Sequence, residues 1–385
     1  MVEVTLPQRA RRRLIFSLVA LALVCGLFEG VARTFGSRLL PARRSLDAMP
    51  GEAVPGEPNM VVDTVTGWRP RTGKQESFGI PGGTSVNSRG LRGPEFAIPK
   101  PAEDRRVLFL GDSTVFGVLV ADRDIFAAQV ERALQAVDPH IHVLNGGAPG
   151  WSSWQARRAF EERLSDYAPD LVVVATLWSD TQGAGKPDAV RFSALFPGLD
   201  RSSAFVVTRE WVRELRWGRE VEEVKVGLRP PGSGPGPNIG RGGNAPAGPN
   251  VPASSGAGGN GGGKPPVIGE GGAPTLRVPL ADYRANLGTL AALAADHGGA
   301  IAFLVLPCIR DPDGNGVGDF RETYRTAMRE TAASLNAPIA DTPAAFAGTD
   351  ATQMFLDEVH PTAAGHARIA EVLATTLGPW ATAGP

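Results

Sequence analysis

Only two cysteines occur in 385 residues, Cys25 inside an apolar run and Cys308 after an expected buried strand. Neither a disulfide framework nor a zinc-ligand spacing can be built from them. Nor is there a surplus of either charge, since 39 Lys and Arg stand against 40 Asp and Glu. Without a basic excess to neutralise phosphates, nucleic acid is excluded as the expected partner. From Arg229 to Pro274 apolar side chains almost vanish under Gly, Pro, Ser and Asn. A stretch with so little to bury cannot offset the entropy of ordering and is expected to be disordered.

What the chain does have begins at its N-terminus. A basic tail, residues 1–13 with Arg9, Arg11, Arg12 and Arg13, precedes an apolar run from Leu14 to Phe28 that reaches Ala32 when Glu29 is tolerated. Residues 14–32 therefore read as a signal peptide or a transmembrane anchor. Arg33 lies one helical turn from Glu29 and can pair with it at the interface. Gly30-Val31-Ala32 offers small residues for cleavage, so retention and removal both stay open. A lipidated Cys25 is the weaker reading, because Val24 before it is bulky and the apolar run continues past it. Arg33, Arg38, Arg43 and Arg44 balance the arginines ahead of the run, so a count of positive charges does not set orientation. Large domains that follow a short basic tail translocate largely regardless of charge. The expected location is accordingly the cell envelope, with the main domain extracytoplasmic.

Residues 33–104 are rich in Pro, Gly and charge and show little periodicity, which predicts an extended stalk packing on the domain at 105–385. From there short β-branched runs alternate with amphipathic stretches, the pattern of an α/β fold with a parallel sheet. Strands are expected at Val107–Leu110, Ile141–Leu144, Leu171–Thr176, Ile301–Leu306 and Pro338–Ala340. Helices are expected at Ile125–Val137, Trp154–Leu164, Leu280–His297, Phe320–Leu335 and Thr362–Leu377. Five strands fit a three-layer α/β/α sandwich. Residues 186–274 interrupt it as an insertion, of which 229–274 is the Gly/Pro-rich part. Within it Phe205, Trp211, Leu215 and Trp217 recur at helical spacing. Such a stripe serves either as a lid over a cleft or, more commonly, as plain packing.

Two motifs carry chemistry. Gly111-Asp112-Ser113-Thr114 follows the first strand of the domain and places Ser113 in a tight loop at a strand's carboxyl end, where α/β sheets put their sites. Backbone N–H groups of the following turn are positioned to stabilise an oxyanion. Taken alone, the tetrapeptide is equally a helix cap. Asp357-Glu358-Val359-His360-Pro361 lies just before the last helix. A serine hydroxyl is a poor nucleophile until a base takes its proton, and a carboxylate on the other ring nitrogen fixes the imidazole tautomer. Ser113 as nucleophile, His360 as base and Asp357 as orienter form a complete set. No cofactor is required for that chemistry.

With these residues the chain resembles the GDSL/SGNH hydrolase family, in its membrane-anchored bacterial form, from about Arg106 to the end. The resemblance implies a flavodoxin-like five-stranded parallel sheet and an ester-linked acyl substrate on an envelope carbohydrate or lipid, an O-acetyl group among the candidates. Transfer of the acyl group by the same residues, or a scaffold that has lost catalysis, are the alternatives. Val86-Asn87-Ser88-Arg89-Gly90-Leu91-Arg92-Gly93 looks like a stretch found in anchored members. Asn145-Gly146-Gly147-Ala148-Pro149-Gly150 looks like the second block, which implies that Gly150 joins the Ser113 N–H in an oxyanion hole. In the third block the family has Gly-x-Asn-Asp, whereas this chain reads Leu177-Trp178-Ser179-Asp180. Ser179 stands where the oxyanion-hole asparagine is expected. Its shorter hydroxyl gives a differently shaped hole, and one lost donor costs about 3–4 kcal/mol of transition-state stabilisation.

A separate run, Asp311 to Glu322, fits the twelve-residue calcium-loop template. Asp311, Asp313, Asn315, Asp319 and Glu322 supply oxygens, Val317 a backbone carbonyl, and Gly316 the turn. A structural calcium there would pin a strand-to-helix connection. A solvated acidic turn is the alternative.

Overall fold

Val107, Leu108, Phe109 and Leu110 are all fully buried, as a parallel strand covered by helices on both faces must be. The computed structural model describes residues 8–39, 53–54, 57–75, 79–80, 82–184, 187–192, 202–217 and 275–383. The stretch 229–274, expected to be disordered, lies outside the described residues. In chain order the elements are α1 (Gln8–Leu39), then five short strands, β1 (Ala53–Val54), β2 (Glu57–Asp63), β3 (Gly67–Pro70), β4 (Gly73–Gln75) and β5 (Thr84–Val86). The α/β part follows with β6 (Arg105–Gly111), α2 (Ser113–Phe116), α3 (Phe126–Gln135), β7 (Ile141–Gly147), α4 (Ser153–Glu162) and β8 (Leu171–Ala175). Next come α5 (Asp188–Arg191) and α6 (Ser203–Trp217), which belong to the insertion. The chain closes with α7 (Leu280–Asp296), β9 (Ala300–Val305), α8 (Asp319–Ser334), β10 (Ile339–Asp341), α9 (Ala351–Met354) and α10 (Ala363–Thr382).

The large sheet is parallel throughout, in the order β10-β9-β8-β6-β7. β7 lies on one side of β6 and β8 on the other. Right-handed crossovers then put the intervening helices on opposite faces. α3 packs with α10 as one layer, and α4, α7 and α8 pack side by side as another. The three-layer α/β/α expectation is met, with the flavodoxin-like strand order. The direction of strand addition reverses between β6 and β8. A crevice opens at such a switch point, beyond the carboxyl ends of those two strands.

The segment expected to be an extended stalk is different. Its start, 33–39, continues α1. Farther on β1, β2 and β3 form an antiparallel sheet and β4 and β5 a hairpin. Met60, Val62, Trp68, Val86 and Leu91 share one core with the α/β domain. Strands of two to seven residues are too short to reveal a period in sequence, and they gain stability by packing on the domain.

α1 carries the one stretch among the described residues long and apolar enough to cross a membrane, Ile15–Phe35, with mean hydropathy 2.3. Its large apolar side chains are exposed from Ile15 to Phe35. Glu29 pairs with Arg33 (2.7 Å) and also accepts from Ser202 Oγ (2.7 Å) and from the Ser203 and Ala204 N–H groups at the start of α6. Val206 and Val207 of α6 close on Ala32, in a cluster separate from the main core. The first two turns of α6 thus pack on the N-terminal helix.

Candidate active site

β6 ends at Gly111, where a Cβ would collide with the Ala175 carbonyl of neighbouring β8, so the chain approaches there only as glycine. Asp112 then caps α2, its Oδ1 accepting from the Thr114 N–H (2.9 Å), and Ser113 becomes the first residue of that short turn. The side chain of Ser113 is thereby fixed at the mouth of the switch-point crevice.

The opposite wall comes from the C-terminal loop. Phe355 and Pro361 form an antiparallel bridge, and the Leu356 N–H donates to the His360 carbonyl (2.8 Å), closing residues 355–361 into a tight loop. Inside it Asp357 Oδ1 accepts from the Val359 and His360 N–H groups (both 2.9 Å). Asp357 Oδ2 lies 2.7 Å from His360 Nδ1, and His360 Nε2 lies 2.8 Å from Ser113 Oγ. A carboxylate only accepts, so Nδ1 carries the proton and Nε2 is left to accept from the serine. Burial works against the Asp357 charge. The hydrogen bond and charge of His360 and the two backbone donors outweigh it, holding the acid below its ordinary range. His360 and Asp357 stay partly open to solvent, at 14% and 19% exposure. Ser113 and His360, 247 apart in sequence, meet here.

The expected oxyanion donors are placed as follows. Ala148 donates to the Gly111 carbonyl (3.1 Å), which lays the 148–151 turn beside the serine loop. Gly150 has φ +76°, a left-handed value that favours glycine. Neither its N–H nor that of Ser113 has an acceptor among the described residues. Ser179 is buried past the end of β8. Beside it Asp180 Oδ1 accepts from the Ser153 N–H (2.9 Å).

Two buried acids escaped the sequence reading as features of the site. Burial pushes Asp112 up to about 6, against the pull of the Thr114 N–H and of the His360 charge. Burial likewise pushes Asp180 up to about 7, against its hydrogen bonds with Ser153 and the charge of Arg277. His366, the next histidine along, is no second base. Burial, then the charges of Arg92 and His360, take it down to about 3, and its Nδ1 accepts from the Phe126 N–H (3.2 Å). Trp68 and Arg277, which touch the Gly150 turn, also went unread. A lone tryptophan in a polar segment was the available signal for the first.

The calcium template does not come together as a cage. Asp311 is buried, and both its oxygens accept from Arg325 (3.0 and 2.8 Å) while Oδ2 also takes the Cys308 N–H (2.6 Å). Glu322 accepts from Arg329 (2.6 Å). Asp313 and Asn315 are exposed, and Val317 packs against the core. No group of three or more His, Cys, Asp or Glu side chains is arranged to hold a metal among the described residues. The donor set does not fit a calcium ion, because its first and last carboxylates already serve guanidinium groups.

No family model matches the chain, and no curated protein matches it. Among solved structures, the chain is similar to LAE5, an alpha/beta hydrolase enzyme from the metagenome of Lake Arreo, at 15% identity and TM-score 0.42, over 71% of this chain and 95% of that one. It is also similar to Axe2, an acetylxylan esterase from Geobacillus stearothermophilus, at 18% identity and TM-score 0.42, over 71% and 94%.

Proposed function

We propose that the protein is a serine esterase that hydrolyses an ester-linked acyl group on a carbohydrate or lipid of the cell envelope. The observation that carries this reading is the unbroken relay from Asp357 through His360 to Ser113. Ser113 Oγ attacks the ester carbonyl as His360 Nε2 takes its proton, and Asp357 steadies the imidazolium. The tetrahedral oxygen accepts from the Ser113 and Gly150 N–H groups and from the Ser179 hydroxyl. The C–O bond then breaks, His360 protonates the leaving alcohol, and an acyl-serine remains. Water repeats the cycle, giving up its proton to His360 and releasing the acid. The exposed apolar length of α1 supports an envelope location, with the helix as anchor.

The test is Ser113→Ala in the full chain. Hydrolysis of p-nitrophenyl acetate should fall by about 10⁴-fold or more. Covalent labelling by a fluorophosphonate should disappear while the melting curve is unchanged. Undiminished turnover in the variant would sink the assignment.

A further inference from the structure

Ala148-Pro149-Gly150-Trp151 is a β-turn closed by the Trp151 N–H on the Ala148 carbonyl (3.1 Å). Proline at its second position and glycine with φ +76° at its third make it type II. In a Pro-Gly turn the central peptide can also take the type I orientation, because glycine accepts either sign of φ. The two forms differ by a flip of the peptide joining Pro149 to Gly150, which turns the Gly150 N–H to the opposite side. The oxyanion donor of the proposed esterase therefore sits on a peptide that the local sequence alone does not hold.

We propose that Trp68 and Arg277 are positioning residues that lock this peptide and aim the Gly150 N–H at the substrate oxygen. The inference rests on the esterase reading. Trp68 Nε1 donates to the Pro149 carbonyl at 3.0 Å. In a trans peptide the C=O and N–H point in opposite directions, so a carbonyl held on the indole turns the Gly150 N–H away from it. On the other side of the glycine, Arg277 Nη1 donates to the Gly150 carbonyl at 2.8 Å. The two peptide units flanking the Gly150 Cα are each gripped through their oxygens.

Both grips are themselves fixed. The Trp68 carbonyl accepts from Trp151 Nε1 (2.8 Å) and from Thr66 Oγ1 (2.7 Å), and Phe192 meets its ring edge-on at 5.6 Å. The Arg277 guanidinium lies over the Trp68 ring, 5.4 Å from its centre. Its remaining donors reach Asp188 (2.8 Å) and Gln155 (2.6 Å). A buried network with its donors satisfied is rigid, and an accepted carbonyl polarises its own peptide toward a stronger N–H donor. The N-terminal sheet, through β3, thus reaches into the site.

The discriminating variant replaces Trp68 site-specifically with 3-benzothienylalanine, in which sulfur takes the place of the indole N–H and shape is kept. Trp68→Phe serves as the genetically encoded companion. Active sites are counted by titrating labelling with a fluorophosphonate to completion, and kinetics on p-nitrophenyl acetate are expressed per active site. We expect kcat and kcat/KM to fall together by about 10- to 100-fold with KM unchanged, as for an interaction realised only in the transition state. Inhibition by a boronic acid, which mimics the tetrahedral oxyanion, should weaken by a similar factor. A merely structural role would lower the melting temperature or the fraction of titratable sites and leave kcat per site intact, which would overturn the proposal. An active wild type with an isostere of equal kcat rejects the clamp and spares the esterase reading. A wild type that neither turns over the ester nor labels rejects both.

Discussion

Two acidic loops lie side by side at one end of the sheet, joined by the Ile309 N–H on the Glu358 carbonyl (3.0 Å) and by the Arg321–Glu358 ion pair (3.0 Å). In the loop at 355–361, Asp357 faces a histidine whose far nitrogen reaches the serine. In the loop at 311–322, Asp311 faces Arg325, which also donates to the Leu306 carbonyl (2.6 Å). One carboxylate passes its influence on to a third group, and the other ends its role on a permanent cation. The difference lies in the partner, since a guanidinium stays charged and holds structure while an imidazole gains and loses a proton. Templates for metal loops read the spacing of oxygens and carry no information about a cation that arrives from a helix downstream.

The comparison breaks most visibly at Asp357. Asp357→Asn keeps the shape but no longer fixes the imidazole tautomer. kcat for p-nitrophenyl acetate should fall by about 10³- to 10⁴-fold with the fold intact, and a loss under tenfold would mean that the relay is ornamental. At Arg325 the expected signature is the reverse. Arg325→Met strands a carboxylate that is 4% exposed, which costs about 3–5 kcal/mol and lowers Tm by on the order of 10 °C, with kcat per folded molecule little changed. Millimolar calcium should leave the wild-type Tm where it is. A clear rise would show that the ion displaces the guanidinium and that the oxygen template is the better description.

A third carboxylate sharpens the contrast, because Asp180 has neither kind of partner and its Oδ2 is buried without a hydrogen bond among the described residues. Its folded value of about 7 lies above the ordinary 3.8, so the folded state holds its proton more tightly than the unfolded one. The stabilisation is full below pH ~4 and is lost as pH rises through about 7. Asp180→Asn should remove that part of the pH dependence, seen as a smaller fall in Tm between pH 4 and 7 than in the wild type. Parallel curves would refute the buried-acid assignment.

How far the sequence discloses these arrangements depends on how local the cause is. The strands of the large sheet are legible because burial on both faces demands continuous apolar runs such as Val107–Leu110, and the observed β6 differs from that expectation only at its ends. Ser113, Asp357 and His360 are legible because each sits at an element boundary with a conformational reason to be there. Illegible are the features whose cause lies elsewhere in the chain. β1–β5 exist because the α/β domain offers them a surface, and Asp311 is closed by a residue 14 positions on. Trp68 matters through a carbonyl 81 residues away.

The insertion leaves and re-enters the domain at a single point. Its stems form a small antiparallel ladder, with Ala184 donating to Thr275 (2.8 Å), Arg277 to Gln182 (2.9 Å) and Val278 to Asp180 (3.1 Å). Once the ends are tied, the entropy of the loop rises only with the logarithm of its length, and each doubling costs about 0.6 kcal/mol. Added length between the stems therefore costs little, except at Asp188 and Phe192, which fix Arg277 and the Trp68 ring. The stems have no such latitude. A slip of one residue in their register would turn the Arg277 side chain to the opposite face and take its hand off Gly150.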